Sequence, residues 1–458
     1  MLRIILGAGG AVLTAAVVAL NLSPIGQIYL PSATGIVAKQ MCSLTWVSGL
    51  EPDRARSLYL DPLLGDAGSL LNHHIDADNH QVTANFLGLF WTQRAVWRDG
   101  LGCTLVHGGH GFDPELTAPV TRGFIAMPLD TAHRDAWFDT EALDAAMSSA
   151  FDEAQTDGRN TLGVAILHQG RLVAEHYAPG ASAETRFHGW SMTKSVIATL
   201  AGSLAQDDGL DIRAEGEIPA LAAIGDPRLD AVTIEALLRM TGGLAIAELN
   251  NGMDPNSQML FTQWDMPHFA ATRERLHAPG EHWQYMSGNT ILASDALQRR
   301  LGDSLPEQIA ALRARIFEPL DIYSAILEPG ENGVFQGSSY MYATAQDWAR
   351  LCQLYLDNGV AADGRRILPE DWYSIVAEPT PNSGGGYGMG FWLPTEATGL
   401  PPESIMMSGF QGQWGYVMPE QELVIVRFGA TIGVSSRSGR LAREVVAALQ
   451  SSASAPAG

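Results

Sequence analysis

The chain has 458 residues, too many for one minimal core and enough for one large domain with additions. Apolar residues at 46% against 17% charged exclude disorder over most of its length. The 50 acids outweigh the 28 bases, and no basic stretch offers the counterion-releasing surface that a nucleic-acid partner requires. Nearly all the bases are arginine. The only lysines are Lys39 and Lys194, so each invites a specific explanation.

Residues 4–22, IILGAGGAVLTAAVVALNL, carry no charge and follow Arg3. At ~1.5 Å per helical residue this run matches a bilayer's hydrocarbon core. Pro24 and Gly26 break it, and no small-x-small cleavage site follows. The expectation is an uncleaved signal anchor and linker over 1–40, a cleaved signal peptide and a secreted chain being the alternative, with the rest of the chain outside the cytoplasm, which is the periplasm if the cell is Gram-negative. The partners expected are the membrane, through this segment, and a small-molecule amide or ester; no nucleic acid is expected.

Residues 41–135 read as an extension of short strands and turns. Within it, 85–106 looks like a hairpin closing at Asp99-Gly100. Cys42 and Cys103 both lie here and form a candidate disulfide in an oxidising compartment, two free thiols being the alternative. Cys352 shares a helical face with Trp348, Leu351 and Tyr355, which suits a buried small hydrophobe. The histidines in 73–80 and 107–110 lack a metal-ligand spacing, so no metal and no cofactor are expected.

A second unit covers 136–450, followed by a flexible tail at 451–458. Residues 161–178 read strand, Gly-containing turn, strand. From Ser191 the pattern turns helical, with Val196, Ile197, Leu200, Ala201 and Leu204 on one face. Helices and loops dominate to about 345, and 347–359 is a further helix. Segments between 387 and 430 read as strands, and 443–450 returns to helix. Strands at both ends with helices between predict one sheet built from both ends around an inserted helical lobe.

The chemistry centres on FHGWSMTKSVIATLAG, 187–202. Ser191 and Lys194 are three residues apart, hence on one face of a helix that Ser191 opens. Helix N-terminal N–H groups there would stabilise an oxyanion. A lysine desolvated by the apolar segment loses its proton readily and activates the hydroxyl. Ser191 as a plain N-cap is the bland alternative; the scarcity of lysine argues against it. Tyr285, after a Pro-Gly turn, is a candidate second proton carrier, with Ser287 beside it. Gly409-Phe410-Gln411-Gly412-Gln413 is a strand-like glycine motif where backbone can approach a ligand.

S-x-x-K, then Y-x-S, then a strand glycine motif, in that order, resemble the serine β-lactamase and penicillin-binding-protein superfamily. The likeness is to its class C branch, which includes esterases and 6-aminohexanoate-dimer hydrolases, and covers about 136–445. LLRMTGGL (237–244), PGEHWQYMSGNT (279–290) and GQWGYVMPEQELVIVRFG (412–429) share it. The resemblance implies an α+β fold, an α/β/α sandwich on an antiparallel sheet with a helical lobe. It implies Ser191 as acylated nucleophile, Lys194 and Tyr285 sharing proton transfers, and Ser287 in the second motif. It also implies an oxyanion hole from the N–H groups of Ser191 and Gln413, with Gly412 and Phe410 beside it. Relatives carry a lysine or histidine in the third motif where this chain has Phe410-Gln411-Gly412. That departure weakens a β-lactamase or D-Ala-D-Ala peptidase reading and leaves a non-catalytic sensor on the same fold as the competitor to an amidase or esterase. Phe410 and Trp414 suggest an apolar wall.

Overall fold

A computed structural model describes residues 18–120, 122–156, 160–431 and 439–450. Most of the expected anchor and the whole tail 451–458 lie outside them. Among the described residues no helix is long and apolar enough to cross a membrane.

Twelve strands are described: β1 (Leu71–Asp76), β2 (Gln81–Phe86), β3 (Phe90–Arg98), β4 (Gly102–Leu105), β5 (Thr161–His168), β6 (Arg171–Tyr177), β7 (Phe187–His188), β8 (Ile326–Leu327), β9 (Met341–Ala343), β10 (Ile405–Gly409), β11 (Gln413–Met418) and β12 (Leu423–Gly429). The central sheet has the order β10-β11-β12-β5-β6 and is antiparallel throughout. The pairing of β12 with β5, Ile425 opposite Ile166, joins the two ends of the chain in one sheet, as expected. Successive residues of β5 point to opposite faces, and both faces are covered. Val164 and Ile166 join one cluster with Leu143, Ala146, Leu441 and Val445. Ala165 and Leu167 join the main core. Every residue of β5 is therefore buried, and its sequence shows no polar face. The expected strand at 387–393 is instead a turn held by isolated bridges, Tyr387–Trp392 and Trp392–Met406.

Four further helices frame the site: α1 (Leu30–Trp46), α2 (Thr193–Asp208), α3 (Pro255–Thr262) and α4 (Ser287–Gln298). α1 changes the expected organisation. The boundary between linker and extension, placed at residue 41, falls inside it. Pro31 sits in its first turn, where a missing N–H costs nothing. Beyond that turn the helix runs through the core, with Val37, Ala38, Lys39, Met41, Cys42 and Leu44 wholly buried. It packs on the sheet β1-β2-β3-β4 and on α3.

Three devices fasten α1 to the rest. Lys39 Nζ lies 2.7 Å from Glu328, both side chains fully buried. Glu328 also accepts from Ser43 Oγ at 2.9 Å and from the Cys103 N–H at 2.6 Å, so its lone pairs are used. Cys42 and Cys103 are joined in a disulfide with Cα atoms 6.0 Å apart. The first of the two lysines thus belongs to this buried pair.

Candidate active site

Ser191 sits in a single turn, Trp190–Met192, that runs into α2. Trp190 holds φ at +46°, a left-handed conformation costly for a large side chain. It is fixed by its surroundings: its indole N–H donates to Gln411 Oε1 at 3.1 Å, and its ring meets Phe410 edge-on at 5.4 Å. Behind it, His188 is sandwiched among Trp190, Tyr340 and Tyr342 and donates from Nε2 to the Ser339 carbonyl. Burial pushes this imidazole down to about 3, so it stays neutral.

Lys194 lies one turn after Ser191, and its ammonium end is the hub of the site. Nζ donates to Ser191 Oγ at 2.9 Å, to Ser287 Oγ at 3.0 Å and to the Ser338 carbonyl at 3.0 Å. Burial pulls its pKa down to about 8, while the Glu248 carboxylate acts in the opposite sense. A lysine with three oxygen partners and a pKa this near neutrality can take a proton from Ser191.

Tyr285 stands over this hub, with Lys194 Nζ 4.8 Å from its ring centroid. It is braced by Trp392 and Tyr387 at 5.2 and 5.8 Å. Burial, then the charge of Glu248, raise its phenol well above the ordinary value, a contact with Ser191 acting against them. It is therefore a neutral phenol, a proton donor rather than a resting phenolate. Ser287 opens α4, accepts from Lys194, and donates to Glu248 Oε2 at 2.9 Å; its N–H reaches the same oxygen at 2.8 Å.

Glu248 was not legible in sequence. It lies in LAIAELNNG, 39 residues from Ser287, and no spacing rule links the two. Only an acid set in an apolar run hinted at it. Ser338 and Ser339, which serve through their carbonyls, left no signal, because any residue supplies that group.

The third motif lies at the β10–β11 hairpin. Gly412 and Gln413 do not line the cavity at Ser191. They form the β10–β11 turn and the base of its hairpin. The Gln413 amide donates to the Phe410 and Gly429 carbonyls and accepts from the Gly429 N–H. Gly409, opposite Gln413 in the β10–β11 pairing, packs on the residues just before Ser191: a Cβ there would come 2.1 Å from the Gly189 carbonyl. Only glycine allows that approach. Trp414 stacks on Tyr416 and packs in the opposite layer, so it is no part of the wall. Phe410 does line the cavity.

That cavity, about 160 Å³, opens at Ser191. Glu248, Phe410, Phe261 and Leu260 line it, and so do Tyr29, Ala33 and Ile36 from the N-terminal part of the chain. Among the described residues on its walls none is lysine, arginine or histidine.

A serine hydrogen-bonded to a buried lysine at the head of a helix, beside an antiparallel sheet edge, defines a serine-hydrolase type of centre on a penicillin-recognising fold. The β-lactamase family model matches residues 147–447, well over half the chain, and the chain belongs to that family of serine hydrolases. It is 24% identical over 341 residues to the 6-aminohexanoate-dimer hydrolase of Paenarthrobacter ureafaciens, covering 69% of this chain and 82% of that one. Among solved structures it is similar to a penicillin-binding-protein homologue from Caulobacter crescentus (TM-score 0.53, 21% identity, 67% of this chain and 98% of that one). It is also similar to a family VIII carboxylesterase (TM-score 0.52, 14% identity, 68% and 97%). The matched region begins after α1 and the sheet β1-β2-β3-β4.

Proposed function

We propose that the protein hydrolyses an uncharged amide or ester through an acyl-enzyme on Ser191. The observation that carries this is Lys194, buried, 2.9 Å from Ser191 Oγ and with a pKa of about 8. Neutral Lys194 accepts the Ser191 proton as Oγ attacks the carbonyl carbon. Tyr285, held neutral, relays a proton to the leaving amine or alkoxide. Water then attacks the acyl-enzyme, its proton returning through the same groups, and Ser191 is released. The oxyanion is met by the N–H of Ser191 and by that of Gln413, which opens β11 opposite Gly409. Ser287 and Glu248 hold Lys194 in place.

A cavity with a carboxylate and no cation is poorly suited to a substrate carboxylate beside the scissile bond. An uncharged ester or linear amide fits better than a β-lactam or a D-Ala-D-Ala peptide. The relatives named as a 6-aminohexanoate-dimer hydrolase and a carboxylesterase fit the same reading. The test is mass spectrometry after a fluorophosphonate probe. The adduct is expected on the peptide containing Ser191 and absent in Ser191→Ala; an unlabelled wild-type Ser191 refutes the assignment.

The uncharged run at 4–22 supports a second element of the proposal, a membrane-anchored protein acting outside the cytoplasm. Fractionation is expected to recover the chain with membranes, its catalytic domain open to external protease. Recovery of the full-length chain in the cytoplasm refutes this.

A further inference from the structure

We propose that the chain before the family match builds an acyl-chain subsite, and that the preferred substrates carry an apolar acyl group of intermediate length. This rests on the acyl-enzyme reading above and extends it to the substrate.

Tyr29, Ser32, Ala33 and Ile36 line the cavity that opens at Ser191, and their spacing of three, four and seven places them along one helical face. The facing wall is α3, with Leu260 and Phe261 on it and Asn256 and Ser257 at its start. Gly35 sets the distance between these walls. A Cβ there would come 2.5 Å from the Phe261 carbonyl, so the two backbones touch. At the mouth, Gly252 packs against the Tyr29 ring, where a Cβ would come within 2.9 Å. Leu63 and Leu64 complete the apolar side. The Lys39–Glu328 pair and the Cys42–Cys103 bridge anchor α1, so this wall is fixed rather than a loose flap.

The acyl half of a substrate is the half covalently tied to Ser191, and this cavity receives it. Its 160 Å³ is room for roughly five groups of water or methylene size at ~30 Å³ each. The expected optimum is therefore an acyl chain of intermediate length. Acetyl leaves the walls unfilled, and a long chain overruns them. Each methylene buried between walls is worth about fourfold in transition-state binding.

The experiment measures kcat/KM of the full-length chain on p-nitrophenyl acetate, hexanoate and dodecanoate. The readout is the hexanoate-to-acetate ratio within each variant. Ala33→Leu fills the cavity and is expected to lower that ratio by roughly tenfold or more. Ile36→Ala enlarges it and is expected to shift the optimum to a longer chain. The two shifts are opposite, so a general loss of folding or rate cannot imitate them, and either variant alone decides if the other does not fold. If wild type is labelled at Ser191 and turns over esters, but neither variant moves the profile, the subsite is overturned and the acyl-enzyme reading stands. A second series, the acetates of ethanol, hexanol and dodecanol, varies the alcohol instead; variants that move this profile and not the acyl profile place the cavity on the leaving-group side and also overturn it. An unlabelled Ser191 sinks both.

Discussion

Glu248→Gln tests the electrostatics of the site directly. The carboxylate accepts from Ser287, which in turn accepts from Lys194, so the two bonds of 2.9 and 3.0 Å put Nζ within about 6 Å of the charge. Glutamine keeps an acceptor oxygen for Ser287 and removes the charge. At that separation Coulomb's law gives from ~0.7 kcal/mol with full solvent screening to ~3 kcal/mol at an effective dielectric of 20. That is about half a unit to two units of lysine pKa. The sign follows from the charge: Glu248 favours the ammonium form, so its loss lowers the pKa of Lys194. Lys194 must be neutral to act as base. With a pKa of about 8, about a tenth of it is neutral at pH 7. The wild-type kcat/KM profile is thus expected to fall tenfold per pH unit below about 8. In Glu248→Gln the acid limb moves to lower pH. The assay is the pH dependence of kcat/KM on p-nitrophenyl butyrate. An acid limb that stays in place or moves up refutes the claim that Lys194 is the titrating base under the control of Glu248.

Tyr285→Phe removes a proton donor while keeping the ring over Lys194, and is expected to cost roughly two to four decades in kcat with a smaller change in KM. Nitrocefin is expected to be a poorer substrate than p-nitrophenyl butyrate, because Phe410 and Glu248 offer no partner for its carboxylate; a higher kcat/KM on nitrocefin refutes this. Lys39→Met leaves Glu328 buried without its counter-charge and is expected to destabilise the fold by ~3–5 kcal/mol in urea unfolding, with part of the loss recovered by adding Glu328→Gln. Reducing the Cys42–Cys103 bridge opens a loop spanning 61 residues and is expected to cost ~4 kcal/mol on chain-entropy grounds, read from urea midpoints with and without reductant.

The contact between Ser191 and Lys194 was legible in the linear chain for a physical reason. Ser191 and Lys194 are three residues apart, and helix geometry alone brings them together. The two-ended sheet was legible too, since strand patterns at 161–178 and between 387 and 430 supply β5 and β12, although 387–393 is not a strand. Tyr285 and Ser287 stood out only through their order after S-x-x-K.

What the tertiary structure alone decided are the contacts between distant segments. Glu248 meets Ser287 because the loop before α3 folds back on α4, a relation with no period in sequence. The pairing of Gly409 with Gln413 across the β10–β11 hairpin, beside the turn that carries Ser191, is likewise a matter of strand register that no local pattern fixes. The role of α1 was hidden most deeply. Its composition suits a linker after an apolar run as well as a buried helix, and local pattern cannot separate the two. Only the packing of Gly35 on Phe261 and of Lys39 on Glu328 turns that segment into a wall of the cavity at Ser191.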